Sequence, residues 1–318
     1  MDNIGTELRP KVIGILPVSG FALMSYASTV EPFRAANLLS RQEIYRTVNL
    51  GIDMENIASS GAAIVRPDAV FSDAEKLDYV FVVAGGDPSK FDNRRVFSWL
   101  ARLARQGTVI GGVSGGPVIL ARAGLMGGRR MTVHWEHVAA LAEISPHLLI
   151  ERTLYVIDRD RVTCAGGTAA MDLVHALIAQ HHGTLFARRV SDWFLHTEIR
   201  PSEGPQRGRL VDRIGTTNAA VLDAVNAMEH HLSEPLSQRQ LASVSGVSMR
   251  QLNRLFSEKL NRPTMRFYRE LRLEKAHNLL RNSSLSLTEI SLATGFSSSS
   301  HFSRAFSDSY GRPPSSFR

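Results

Sequence analysis

The stretch "GGVSGGPVILARAGL" (111–125) holds a buried strand, a sharp turn and the start of a helix. Small and β-branched residues lead up to Ser114, and an apolar run too long for a loop follows it. An α/β enzyme holds its nucleophile at such an apex, with backbone N–H groups of the next helix turn facing a developing oxyanion. Without a base beside the serine, the same turn is only a pocket. The turn thus sets the fold class, and its serine poses the functional question.

The same alternation extends outward on both sides. "KVIGILPV" (11–18), "YVFVVAGG" (79–86), "TVIGGVSGG" (108–116) and "DRVTCAGG" (160–167) are apolar, β-branched runs that end in glycine or proline. Helical stretches lie between them: "TVEPFRAANLLSRQ" (29–42), "RVFSWLARLARQG" (95–107) and "AAMDLVHALIAQHHG" (169–183). Strands alternating with helices predict a parallel sheet covered on both faces, an α/β flavodoxin-like sandwich, for residues 1–199. Sites in such sheets form at the C-terminal ends of the strands.

"RPSEGPQRGRLVDRIGT" (200–216) carries prolines, glycines and mixed charge without sustained periodicity, the composition of a linker. Beyond it, residues 217–318 read as helix throughout. "NAAVLDAVNAMEHHL" (218–232) precedes two units of similar build, "SQRQLASVSGVSMRQLNRLFSEKLN" (237–261) and "SLTEISLATGFSSSSHFSRAFSDSYG" (286–311). Each has a polar cap, a short helix, a glycine turn (Gly246, Gly295) and a second helix, the layout of a helix-turn-helix. "PTMRFYRELRLEKAHNLLRNS" (263–283) reads as one long helix that fixes their separation. An all-α, double helix-turn-helix domain is the expectation for this half.

Bulk properties agree with two domains. The chain has 318 residues, 43% of them hydrophobic, with a net charge of +7 and an isoelectric point near 9.9. A basic balance favours an anionic partner, duplex DNA first. Cys164 is the single cysteine, so no intramolecular disulfide or thiolate-rich zinc site is expected, and its apolar strand predicts a buried, inert thiol. The pairs His181-His182 and His230-His231 point apart on a helix, so neither a metal nor a cofactor is expected. The first twenty residues lack a signal-peptide pattern, and no run approaches the ~20 apolar residues of a membrane span. A soluble, cytoplasmic protein that does not meet a membrane is the expectation.

In the second half, "GFSSSSHFSRAFSDSYGRPPSSFR" (295–318) resembles the signature of the AraC/XylS family of transcription regulators. Gly295-Phe296, Ser300-His301-Phe302, Arg304, Phe306, Gly311, Pro314 and Phe317-Arg318 carry the match. The resemblance implies second helices lying in successive major grooves on one face of DNA. Helical spacing turns Phe302 and Phe306 inward and leaves Ser298, Ser299, His301 and Arg304 toward the duplex. In the first unit Leu252, Leu255 and Phe256 face inward and Arg250, Gln251 and Arg254 outward. Arginine and glutamine make bidentate contacts with guanine and adenine edges, each worth about 1–3 kcal/mol of discrimination.

The first half is similar to the PfpI-like branch of the class I glutamine-amidotransferase-like fold, as found in GlxA-type AraC regulators. "TVEPFRAAN" (29–37), "VVAGG" (82–86), "VSGGPVILARAGLMGGRRMTVHW" (113–135) and "TCAGGTAAMDL" (163–173) carry it. The resemblance puts Ser114 at the cysteine of catalytic relatives, His134 at the family's histidine and Ser25 at an acidic position. A serine needs a general base within reach, and His134 with Glu31 or Asp172 behind it would be the set. The family's regulators tolerate other residues at the elbow, so the turn reads as a binding site rather than a catalytic one.

Backbone N–H groups of Gly86 and Gly115 suit a carboxylate, Glu31 a cationic group, and Phe21, Tyr26 and Trp135 a cation–π wall. Ser114 and His134 complete the expected ligand site. A small zwitterion fits, an amino acid such as arginine or a betaine- or carnitine-like quaternary amine. The combined expectation is a transcription regulator, an activator of a catabolic operon, with an effector, promoter DNA, RNA polymerase and a second copy of the chain as partners. The competing readings are an amidase- or hydratase-like enzyme using Ser114 and His134, and a nonspecific nucleoid-type DNA binder.

Overall fold

The computed structural model describes residues 9–73, 76–283 and 285–317. The N-terminal residues 1–8 and the signature's terminal Arg318 lie outside the described residues. The chain forms two compact units, Met1–Gln206 and Arg207–Arg318.

In the first unit the chain runs β1 (Lys11–Pro17), α1 (Leu23–Ser40), β2 (Tyr45–Gly51), β3 (Ile57–Ala58), β4 (Ile64–Val65), β5 (Ala69–Val70) and β6 (Tyr79–Ala84). It continues through α2 (Arg94–Arg105), β7 (Val109–Ser114), α3 (Gly116–Arg122), β8 (Arg130–Met131), α4 (Trp135–Ile144) and β9 (Leu149–Ile150). β10 (Tyr155–Asp158), β11 (Arg161–Cys164), α5 (Ala169–His182) and α6 (Thr184–Trp193) close the unit.

One sheet in the order β10-β11-β7-β6-β1-β2-β5 organises these elements. Side chains alternate across it. Ile13, Ile15, Phe81 and Val83 pack with α1, α5 and α6 on one face, whereas Val12, Leu16, Val80 and Val82 pack with α2, α3 and α4 on the other. The result is the expected covered sheet, with one correction: its β10 edge pairs antiparallel with β11. Arg159, at φ +58°, makes the two-residue turn that reverses the chain there.

Two further elements escaped the sequence pattern. β2 places polar Arg46, Thr47 and Asn49 on a partly exposed strand, so its β periodicity is faint. α1 starts six residues ahead of the expected helix, because Ser25, Ser28 and Thr29 are buried in it despite their polarity. The Thr29 hydroxyl donates to the Ser25 carbonyl at 2.7 Å, so that polarity is satisfied inside the helix.

The second unit holds α7 (Leu210–Ile214), α8 (Ala219–His230), α9 (Gln238–Val244), α10 (Met249–Leu260), α11 (Thr264–Asn282), α12 (Leu287–Ala293) and α13 (Ser299–Tyr310). The stretch 200–216 is therefore not one structureless connector. Arg200 and Gln206 bond into the first unit, and α7 packs Leu210 and Ile214 on the helical core, with Arg213 paired to Glu229 at 2.9 Å. Prolines and glycines hid these anchors because the elements between them are too short to show a period.

Candidate functional site

The two helix-turn-helix units are built from matching local devices. α9 and α12 each open with a capping box, Ser237 with Gln240 and Ser286 with Glu289. Gly246 and Gly295 turn the chain at φ +64° and +68°, a conformation costly for any side chain. α10 and α13 then begin on Ser248 and Ser298, whose hydroxyls accept from the backbone N–H groups of Gln251 and His301.

Phe302, Phe306, Leu252 and Phe256 are fully buried, as the spacing predicts. The opposite faces carry the expected polar residues. Arg250, Gln251 and Arg254 are exposed on α10, and His301 and Arg304 on α13. Arg254 makes only a loose surface contact with Glu258, at 3.6 Å. Two positions differ from expectation. Ser298 spends its hydroxyl on the helix cap, and Ser299 is half-buried, which leaves His301 and Arg304 as the larger exposed polar side chains of α13 among those expected.

α11 holds both units. Tyr268 donates its hydroxyl to the His231 carbonyl beside the first. At the second, the Arg272 guanidinium donates to the carbonyls of Thr294 (2.7 Å) and Gly295 (2.5 Å) and lies 4.2 Å over the Phe296 ring. Burial pulls the Arg272 pKa down, and the surrounding charges only partly modify that shift. α11 is thereby tied to the end of α8 on one side and to the α12–α13 turn on the other.

In the first unit, Ser114 sits at φ +60°, strained for a residue with a side chain, at the C-terminal end of β7. Neighbouring glycines make the turn possible. A Cβ at Gly116 would stand 2.0 Å from the Val82 carbonyl oxygen, and one at Gly166 2.6 Å from Ser114 Cβ. Ser25 closes the same side, its Oγ accepting from the Gly167 N–H at 2.7 Å.

The catalytic set does not assemble around the serine. His134 donates its backbone N–H to the Ser114 carbonyl, but its Nδ1 accepts from the Glu136 N–H as the cap of α4. Among the described residues no hydrogen bond joins Ser114 Oγ to His134. Burial lowers the His134 pKa, and Glu136 offsets this only in part. Asp172 is equally committed: its Oδ1 accepts from His196 Nε2 and the Arg200 N–H, and its Oδ2 from the Arg200 guanidinium.

Several expected ligand contacts are also spoken for. The Gly115 N–H donates to the Ala84 carbonyl at 3.0 Å, so it is not free for an anion. Glu31 pairs with Arg34 at 2.6 Å on the exposed side of α1. Phe21 is fully buried, and Tyr26 packs on it while donating to Asn49 Oδ1. Gly86, at φ +59°, borders open space, and Trp135 stays half-buried with its ring 5.4 Å from that of His134.

Two residues enter that the sequence reading missed. His137 is 4% exposed with no hydrogen-bond partner for Nδ1 among the described residues, and its ring lies 6.0 Å from that of His134. Burial, reinforced by His134 and opposed by Asp87, holds the His137 pKa at about 4. The i, i+3 spacing of His134 and His137 was the available signal. Asp87 follows the glycine pair after β6, where its Oδ1 accepts from the Ser89 N–H and hydroxyl. The C-terminal ends of β6 and β7 are thus followed by two imidazoles, an indole and a carboxylate.

Elsewhere, the remaining chemistry-bearing groups are structural. Cys164 is fully buried, and burial pushes its thiol up to about 12. His181 bridges the Tyr45 and Tyr79 hydroxyls at 2.8 and 2.9 Å, and His230 and His231 donate to carbonyls one turn back. Among the described residues no cluster of three metal-ligating side chains occurs, and no helix is long and apolar enough to cross a membrane.

A doubly wound sheet with a strained serine elbow, joined to a pair of helix-turn-helix units, defines a DNA-binding protein with an α/β domain. Comparison with known proteins gives the family. Residues 18–180 match the DJ-1/PfpI family and residues 241–318 a helix-turn-helix domain. The chain is 45% identical over 307 residues to the HTH-type transcriptional regulator GlxA of Rhizobium meliloti, covering 96% of this chain and 95% of that one. It is 40% identical over 303 residues to the HTH-type transcriptional regulator CdhR of Pseudomonas aeruginosa, covering 95% and 90%. The crystal structure of an AraC family transcriptional regulator from Pseudomonas putida overlays 58% of this chain and all of that one, with a TM-score of 0.54 at 24% identity. The chain belongs to the AraC/XylS family of HTH-type transcriptional regulators, in the branch that carries a DJ-1/PfpI domain. It is a sequence-specific DNA-binding transcription regulator.

Proposed function

We propose that the α/β cleft binds a small nitrogen-bearing metabolite without turning it over, and that its occupancy activates a catabolic operon. One observation carries this reading: Ser114 stands strained at the elbow while both groups that would activate it, His134 and Asp172, are committed elsewhere. The half-buried Trp135 ring suits a quaternary or guanidinium nitrogen through cation–π attraction. The unpartnered Nδ1 of His137 supplies a hydrogen bond to the other end of a zwitterion. An amino acid such as arginine, or a betaine- or carnitine-like amine, has both ends. The effector acts by favouring one arrangement of a cytoplasmic homodimer that recruits RNA polymerase; equal affinity for all arrangements would shift nothing.

Calorimetric titration of the full chain with arginine, glycine betaine and carnitine tests this. Heat with one of them is expected, reduced in Trp135→Ala and kept in Ser114→Ala. Absence of heat with every small amine and amino acid would remove the proposal. The elbow's strain is the one feature favouring an enzyme, and amide or nitrile turnover abolished by Ser114→Ala would establish that instead.

A further inference from the structure

The helical unit has a groove of about 420 Å³ between its connecting rod and its second recognition helix. Arg266, Arg269 and Glu270 of α11 form one wall, and His301, Arg304 and Asp308 of α13 the other. Its charges are unevenly satisfied. Glu270 is taken by Arg262 (2.6 Å) and Arg266 (3.1 Å). Arg269 and Arg304 are exposed and have no acidic partner within ion-pair distance among the described residues. Two unneutralised guanidinium groups, contributed by two different helices, therefore face one groove.

Duplex geometry says what lies there. Recognition helices set in consecutive major grooves on one face of DNA are separated by about one helical turn, roughly 34 Å. α11 has 19 residues, a rod of about 28 Å, and it packs against both units. Between two consecutive major grooves on one face runs the minor groove, bordered by its two phosphate rows. A rod joining two helices docked in those grooves would cross that interval. His301 and Arg304 line the groove and also form the exposed stripe of α13, so the groove opens beside the base-reading surface.

We propose that the α11–α13 groove seats the DNA backbone, with Arg269 and Arg304 holding phosphates that border the central minor groove and Arg266 beside them. The inference rests on α10 and α13 being the reading helices and assigns to the connecting helix a contact of its own. Arg269 is then a register-setting residue that carries no base information. Asp308, one turn past Arg304 and without an ion-pair partner among the described residues, repels the same phosphates and limits how far the backbone enters.

The test uses the full chain and a labelled duplex that it selects from a random-sequence pool, with affinity measured from 50 to 200 mM KCl. Losing one phosphate contact lowers the slope of log K against log salt by about 0.9, so binding by Arg269→Gln falls about 3.5-fold less across that range. The loss at low salt is expected to be the same for selected and unselected duplexes. Arg269→Lys keeps the slope, and Asp308→Asn strengthens binding to both. An unchanged slope and affinity in Arg269→Gln overturns the proposal. So does an Arg269→Gln variant that binds DNA normally yet fails to activate transcription in a reconstituted system, since that places an acidic protein in the groove. Failure of the unsubstituted chain to bind any duplex at low salt would overturn the reading-helix placement as well.

Discussion

Replacing Asp172 by alanine removes the anchor that ties the last segment of the first unit to its core. Asp172 is fully buried in the first turn of α5 and accepts four hydrogen bonds, one from His196 and three from Arg200, at 2.6–3.0 Å. Breaking a buried ion pair from one side costs about 3–5 kcal/mol, because the remaining charge is left without its partner. The Arg200 side chain is 36% exposed and recovers some hydration, which places the expected cost near 3 kcal/mol. For a unit of this size each kcal/mol moves the midpoint by about 2–4 °C, so a fall of about 6–12 °C is expected by calorimetry of the full chain. Adding Arg200→Ala should cost less than its separate effect, since the orphaned cation is then gone. A shift under 2 °C, or strict additivity of the pair, would refute this account.

Three further outcomes follow from the same geometry. Gly166→Ala puts a Cβ 2.6 Å from Ser114 at φ +91°, so thermal unfolding should show a loss of at least about 1–3 kcal/mol and the cleft should no longer take a ligand. His137 has a folded pKa of about 4 against an ordinary 6.5, so the unfolded chain binds the proton first as pH falls. Its stabilisation is complete above pH 6.5 and lost on the way down to 4, up to about 3 kcal/mol; urea midpoints should therefore depend less on pH in His137→Gln. Arg254→Ala should weaken binding to a selected duplex by about 1–3 kcal/mol and relax base preference at one position, read from competition with single-base variants.

The helical half was largely legible in the sequence because its information is local. Caps at Ser237, Ser248, Ser286 and Ser298, turns at Gly246 and Gly295, and apolar residues at helical spacing act over a few residues each. The cleft was legible only in part. "GGVSGGP" announced the elbow, since close backbone approach demands glycine at 116, yet nothing in it told whether His134 would face Ser114 or cap α4.

Chain order and composition determined that this protein has a doubly wound α/β half and a double helix-turn-helix half, since strand and helix periods are fixed by backbone geometry alone. Tertiary structure decided which polar groups remain free. Asp172 was claimed by Arg200 across 28 positions, Glu31 by Arg34, and the Gly115 N–H by Ala84, whereas Arg269 and Arg304 were brought to one groove from two helices with no ion pair to either among the described residues. Hydrogen bonds and ion pairs are short-ranged and saturable, so their allocation depends on distances that only the folded chain sets.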